Sequence, residues 1–208
     1  MVIDLSCPLN EAPFVVIDIE TTGFTPPQAR ITEIAALRVV NGEIDLDDPW
    51  VQLINPGCPI PPEIERLTGI TNEKVVGHPS VDEVWRFFRD FIGDSVLVAH
   101  NARFDMGFLD HDATRIEGMP LPHPELCTVK MSRRAWPGLS SYNLDTVAAT
   151  LGLHFIDRHR ALGDARVTAE VLKDAVPLLM SQGLDTLGKA LRAQSSRRCE
   201  SRLADLVL

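Results

Sequence analysis

The sequence predicts an α/β fold: a mixed sheet, opened by an antiparallel meander and continued by parallel strands, with helices on its faces. Three observations predict it. A β-branched run at 14–20 precedes two apolar runs that flank Asn41-Gly42. A further short apolar run lies at 95–100. Around and after it, stretches with helical period dominate. Strands followed by alternating helices and strands are the pattern of a layered α/β domain.

FVVIDIE (14–20) reads as a short buried strand ending in carboxylates. ITEIAALRVV (31–40), Asn41-Gly42 and EIDLDDPWVQLI (43–54) read as a hairpin. A type I′ turn needs positive φ at both central residues, and Asn-Gly supplies it. Pro61 and Pro62 open a short helix that stops by Gly69. Ser80 and Glu83 make a capping box, and Val81, Val84, Trp85, Phe88, Phe91 and Ile92 then recur at helical spacing as core positions. SVLVAH (95–100) is another strand. Asn101 is placed to cap a helix through about Arg115 that turns Phe104, Phe108 and Leu109 inward. Helices are predicted around 126–135, over 140–152, and from Leu162 to about Met180, where Pro177 bends or ends the last one. Residues 1–12 read as an N-terminal extension, 13–180 as the main domain and 181–208 as a helical tail. In that tail Leu184, Leu187, Leu191, Leu203, Leu206 and Leu208 suit packing back on the domain or, as the alternative, tethering a partner.

Composition removes several function classes. The chain has 208 residues, 45% hydrophobic and 24% charged, enough for a sizeable core. No apolar run reaches the roughly 18 residues of a membrane span, and the first residues lack a secretory pattern. Cys7, Cys58, Cys127 and Cys199 are scattered, so neither a zinc spacing nor a disulfide framework is present, and a cytoplasmic location is expected. The net charge of −9 is wrong for a sequence-independent coater of nucleic acid. An acidic protein can still process nucleic acid through cations held on its carboxylates.

Asp18 and Glu20 are two apart on a predicted strand, so they share one face while Ile17 and Ile19 share the other. Neighbouring acids repel unless a cation lies between them. Taken alone this pair equally describes a solvated strand end. Thr21-Thr22-Gly23 then turns the chain sharply off the strand. Asp105 falls one turn into a helix that follows a strand, and Asp164 falls in the first turn of the long helix, with His159 on the loop before it. Strand ends and helix starts meet at the ligand crevice of α/β sheets.

VIDIETTGF, VAHNARFD and HRALGDA, in that order and with these gaps, resemble the three motifs of the DEDDh family of 3′-to-5′ exonucleases, which includes the DnaQ-like proofreading epsilon subunits of bacterial replicative polymerases. The resemblance covers about residues 13–180 and implies a ribonuclease H-like three-layer fold. It implies that Asp18, Glu20, Asp105 and Asp164 are the metal-site acids and His159 the catalytic histidine. A sister family carries tyrosine four positions before the last aspartate; that position is Arg160 here, and the one tyrosine is Tyr142. For the substrate it implies contacts from Thr21, Phe24, Glu63, Leu67, Asn101 and Phe104. Phe24 and Leu67 equally suit the core, and Asn101 a cap.

An all-oxygen ligand set suits two divalent ions, Mg²⁺ or Mn²⁺. By the same resemblance His159 takes the proton from the attacking water. The expected activity is removal of mononucleotides from the 3′ end of single-stranded DNA, in proofreading or repair. The alternatives are RNA trimming by the same chemistry and an idle, polymerase-associated binding subunit. The expected partner beyond nucleic acid is a DNA polymerase subunit reached through the tail, with no membrane. Arg103, Lys130, Arg133, Arg134, Arg158, Arg160 and Arg166 flank the motifs and are expected to form a positive rim, or else a set of surface ion pairs.

Overall fold

A computed structural model describes residues 3–194. The meander forms as expected. β1 (Phe14–Thr21) pairs antiparallel with β2 (Ile31–Val40), and the turn at Asn41 and Gly42 has φ of 53° and 77°. The run 43–54, expected as one strand, is two. β3 (Glu43–Ile44) and β4 (Trp50–Leu53) both pair with β2, but Ile44 lies opposite Val39 and Trp50 opposite Ala36. Residues 45–49 therefore loop out. The Asp45 carboxylate accepts from the N–H groups of Asp47 and Asp48, and Pro49 has no N–H for a ladder.

Two short helices follow, α1 (Pro62–Thr68) and α2 (Asn72–Val75), and then α3 (Val81–Ile92). The Glu83 carboxylate accepts from the Ser80 N–H at 2.7 Å, as the capping box requires. β5 (Val96–Ala99) runs parallel to β1. α4 (Arg103–Glu117) comes next, and Asn101 does not cap it. The N-cap is Ala102, and Asn101 stands one residue earlier with φ of 64°. β6 (Glu125–Cys127), unforeseen, pairs parallel with β5 and leads into α5 (Thr128–Ala135). Three residues are too few to show a period. α6 (Leu144–Leu151) is capped by the Asn143 side chain.

α7 (Ala161–Ser181) does not end at Pro177; it runs one turn beyond. Burial of Val176 and Leu179 on either side of the proline holds that turn against the sheet. α8 (Leu187–Ala193) packs back on the domain, with Leu187 and Leu191 buried in the same core as Ile3, Leu9 and Ala12. Leu203, Leu206 and Leu208 lie outside the described residues.

The sheet order is β3-β2-β1-β5-β6, with β4 also on β2. Alternation along the strands sorts the two faces. Phe14, Val16, Ala35 and Leu37 meet α7 and α8 through Ala165, Ala169, Leu172 and Leu191. Val15, Ile17, Ile19 and Ile34 meet α3 and α4 through Trp85, Phe88, Met106 and Phe108. Three layers result, with helices on both sheet faces. Among the described residues no helix is long and apolar enough to cross a membrane.

Candidate active site

The site lies at the carboxyl ends of the parallel neighbours β1 and β5, where α4 and α7 begin. On β1, Asp18 and Glu20 share the face of Phe14 and Val16, which is the face that α7 covers. α7 places Asp164 in its first turn, 6% exposed. Asp18, Glu20 and Asp164 each offer an oxygen, all within 4.8 Å of one another. Asp105, in the first turn of α4 and 3% exposed, stands outside that tight group but acts electrostatically on both Asp18 and Glu20. The backbone N–H groups of Asp105 and Ile19 act against burial on this carboxyl, lowering its pKa.

Burial is the first cause that pushes these acids toward their protonated forms, and mutual repulsion adds to it for Asp18 and Glu20. Burial, then the charges of Asp105, Glu20 and Asp164, hold Asp18 well above the carboxylate range. Glu20 rises to about 8 through burial, then Asp164 and Glu33, the second of which sits directly opposite it on β2. Asp105 rises to about 8 and Asp164 to about 6, burial leading in both. One oxygen of Asp164, Oδ1, is buried without any hydrogen-bond partner. A cluster of oxygen donors that resists holding its negative charge unaided, with an orphaned buried oxygen among them, fits hard divalent cations.

The loop before α7 is held from the sheet. Glu33, 1% exposed on β2, accepts from Arg160 Nε at 3.0 Å and Nη2 at 2.5 Å, and from the Ala161 N–H at 2.9 Å. That fork fixes residues 160 and 161, and with them His159 and Asp164 on either side. His159 is half-buried with φ of 61°, its pKa lowered by burial and then by Arg158. Its backbone N–H, facing the Asp164 carboxylate, acts to lower the pKa of that acid. Arg158 is the cation among the acids. It donates to Asp164 through Nη1 and to Asp145 through Nε at 2.8 Å and Nη2 at 2.9 Å.

Beside the acids opens a cavity of about 440 Å³. Asp18 and Asp164 line one part of it, and Asn101, Arg133, Tyr142 and Arg158 line others. Asn101 thus meets the cavity instead of capping a helix. His100 plays a structural part. It is hydrogen-bonded to Thr128 Oγ1 at 2.8 Å and to the Tyr142 carbonyl at 2.9 Å, and burial lowers its pKa to about 4.

The core reading of Phe24 and Leu67 is overturned: they are 85% and 52% exposed. Glu63 is exposed on α1, four residues from Leu67 and so on the same side of that helix. The Thr21 hydroxyl is already engaged, donating to the Gly23 carbonyl at 2.6 Å. Phe104 is half-buried and stacks on Phe108 at 5.2 Å.

Two of the seven basic residues expected at a rim form ion pairs with acids. Arg158 and Arg160 are paired with carboxylates, and Lys130 and Arg134 hold the carbonyls of Gln194 and Ala193. Arg103 and Arg133 are exposed, the latter over the Tyr142 ring at 5.3 Å. Sequence reasoning missed Glu33 and Asp145. The signal for Glu33 is a lone carboxylate inside an apolar strand; Asp145 has none.

Known proteins resemble this chain in sequence and in fold. Residues 15–172 match the family model RNase_T, described as exonuclease. The chain is 39% identical over 163 residues to the DNA polymerase III subunit epsilon of Aquifex aeolicus, covering 78% of this chain and 80% of that protein. It is 43% identical over 160 residues to the PolC-type DNA polymerase III of Clostridium perfringens, covering 77% of this chain but only 11% of that much longer protein. Among solved structures, exonuclease X in complex with 5′ overhanging duplex DNA superposes with a TM-score of 0.69 at 29% identity, over 86% of this chain and 99% of that one. The ribonuclease H-like architecture is shared with these exonucleases.

Proposed function

We propose, because this chain belongs to the RNase_T exonuclease family, that it removes mononucleotides from the 3′ end of DNA in proofreading or repair. The observation that carries this reading is the convergence of Asp18, Glu20 and Asp164 to within 4.8 Å, with Asp105 buried alongside. These four carboxylates would hold two divalent ions, Mg²⁺ or Mn²⁺, since oxygen donors without sulfur or imidazole favour hard cations. When bound, such ions supply charge neutralisation and an acidified water for phosphodiester hydrolysis.

The chain's own residues do the rest. His159 takes the proton of the attacking water; a pKa below the ordinary 6.5 leaves its ring neutral and able to accept at pH 7. Glu33 and Arg160 keep that loop on the sheet edge. Phe24, Glu63 and Leu67, exposed rather than core, are free to border the terminal nucleotide, while Asn101, Phe104 and the Thr21 backbone border it from the cavity side. DNA is favoured as substrate by the similarity to a polymerase epsilon subunit and to an exonuclease solved with DNA. The same similarity supports residues 13–180 as the exonuclease domain, a cytoplasmic setting, and a polymerase subunit as partner of the tail.

One assay tests the reading. End-labelled single-stranded DNA and RNA of equal sequence are incubated with Mg²⁺, Mn²⁺ or chelator, using parent protein and Asp18→Ala. Mononucleotide release from the 3′ end of DNA, abolished by chelator and by the substitution, is expected. Release from RNA alone changes the substrate class; release from neither polymer overturns the proposal in favour of an idle subunit.

A further inference from the structure

Among the described residues, Arg158 is the one cation inside the acid cluster that the mechanism above does not use. Its guanidinium has five N–H donors in a planar fork. Nε and Nη2 are spent on Asp145, in the first turn of α6, at 2.8 and 2.9 Å. That bidentate pair fixes the plane of the group, and the Phe155 ring lies 4.6 Å from its carbon. The remaining edge, Nη1, points at Asp164, and the group lies close enough to Asp18 and Glu20 to stabilise both carboxylates. Asp18, Asp164 and Arg158 all face the 440 Å³ cavity.

Asp145 is not one of the three acids whose oxygens converge, though its charge reaches Asp164, so its bidentate hold on Arg158 reads as an anchor from outside that group. A guanidinium held by a remote carboxylate keeps its position when its contact with Asp164 is exchanged for something else. Divalent cations would compete for the Asp164 oxygens, and the Nη1 edge would then face the cavity without an acceptor, beside the acids. An anion offering a pair of oxygens, as a phosphate does, is the natural partner for that edge.

We propose that Arg158 is a phosphate-binding residue of this site, anchored on Asp145, and that the same guanidinium is the counter-cation of the acids before divalent ions load. The substrate half of this inference rests on the exonuclease reading; the metal half does not. It makes two predictions of opposite sign for one substitution. Removing the guanidinium removes a competitor for Asp164, so divalent ions bind more tightly. It also removes a phosphate ligand, so a nucleotide binds more weakly.

The test uses the full chain, with Mn²⁺ and thymidine 5′-monophosphate as probes in calorimetric titrations. Arg158→Gln is expected to bind Mn²⁺ roughly tenfold more tightly, and to bind the nucleotide, with Mn²⁺ saturating, roughly tenfold to a hundredfold more weakly, the weight of one charge-assisted hydrogen bond. Asp145→Asn keeps the cation but loosens its anchor, so it weakens nucleotide binding without the gain for Mn²⁺. Arg158→Lys keeps the charge without the fork and behaves like Asp145→Asn, which serves if Arg158→Gln folds poorly. Weaker binding of both probes, or no change in either, makes Arg158 a structural ion pair and overturns the proposal. Tighter Mn²⁺ with unchanged nucleotide binding overturns its phosphate role. A parent protein that binds Mn²⁺ but no nucleotide overturns the exonuclease reading itself, a result distinct from the other three.

Discussion

A carboxylate in the middle of an apolar strand is costly unless its charge is met, and Glu33 is met three times over. The substitution Glu33→Ala would strand the Arg160 guanidinium and the Ala161 N–H. Breaking a fully buried pair costs about 3–5 kcal/mol. The Arg160 side chain is 37% exposed, so water takes up part of that loss, and Glu33→Ala is expected to cost about 2 kcal/mol by urea unfolding. Turnover should fall further than stability implies, because the loop that carries His159 loses its tie to β2; Glu33→Gln, which keeps an acceptor, should recover part of it. His159→Ala acts on chemistry instead. Turnover is expected to drop roughly 10²- to 10⁴-fold, the usual weight of a general base, with Mn²⁺ affinity in calorimetry unchanged. Near-parental turnover would remove the assigned role. Residue by residue, the sequence made the acids and the histidine visible through the resemblance of their motifs to a known family. Glu33 and Asp145 were hidden because their partners are far along the chain, 127 and 13 residues away.

At the scale of elements, α7 does two tasks: it covers one sheet face and it presents Asp164. The loop before it comes unusually close. A Cβ added at Gly163 would meet the carbonyl oxygens of Ile156 and Asp157 at 2.3 Å, and both are backbone atoms that cannot swing aside. Gly163→Ala must therefore lift the loop that carries Arg158 and His159. A loss of about 1–3 kcal/mol in thermal or urea unfolding is expected, the ordinary cost of overpacking, together with reduced turnover. Unchanged stability would show that the loop yields freely. The tight hairpin was legible because Asn-Gly encodes its own turn. The break at 45–49 and the three-residue β6 were not, since one depends on local side-chain bonds and the other on pairing with β5. The left-handed Asn101 likewise answers to the cavity edge, whereas residue preference alone suggested a cap.

For the molecule as a whole, the acids set a trade between stability and charge. In metal-free protein Glu20 and Asp105 titrate at about 8 and Asp164 at about 6, all above their unfolded values. Between roughly pH 4 and 8 the native state therefore holds more protons than the unfolded chain, so stability must fall as pH rises through that window. With chelator present, the melting temperature is expected to decline from about pH 5 to pH 8. Mn²⁺ takes the place of those protons and should flatten the decline. A chelated midpoint that stays level or climbs over the same range would contradict the clustering of these groups. Similarly, α8 closes one end of the core through Leu187 and Leu191, which makes residues 181–194 part of the packed body.

Local chemistry was enough to mark most strands by their β-branched and apolar runs and the long helices by their apolar faces, while four acids and one histidine were marked by the resemblance of three motifs to a known family. Period and turn preference are carried within one short window, and each motif is as well; only the order of the motifs spans the chain. Which carboxylate meets which guanidinium, how deep the acids lie and which apolar side chains stay exposed were decided only by the assembled fold. Coulombic and desolvation energies depend on distance and dielectric through space, and neither is written in the order of residues.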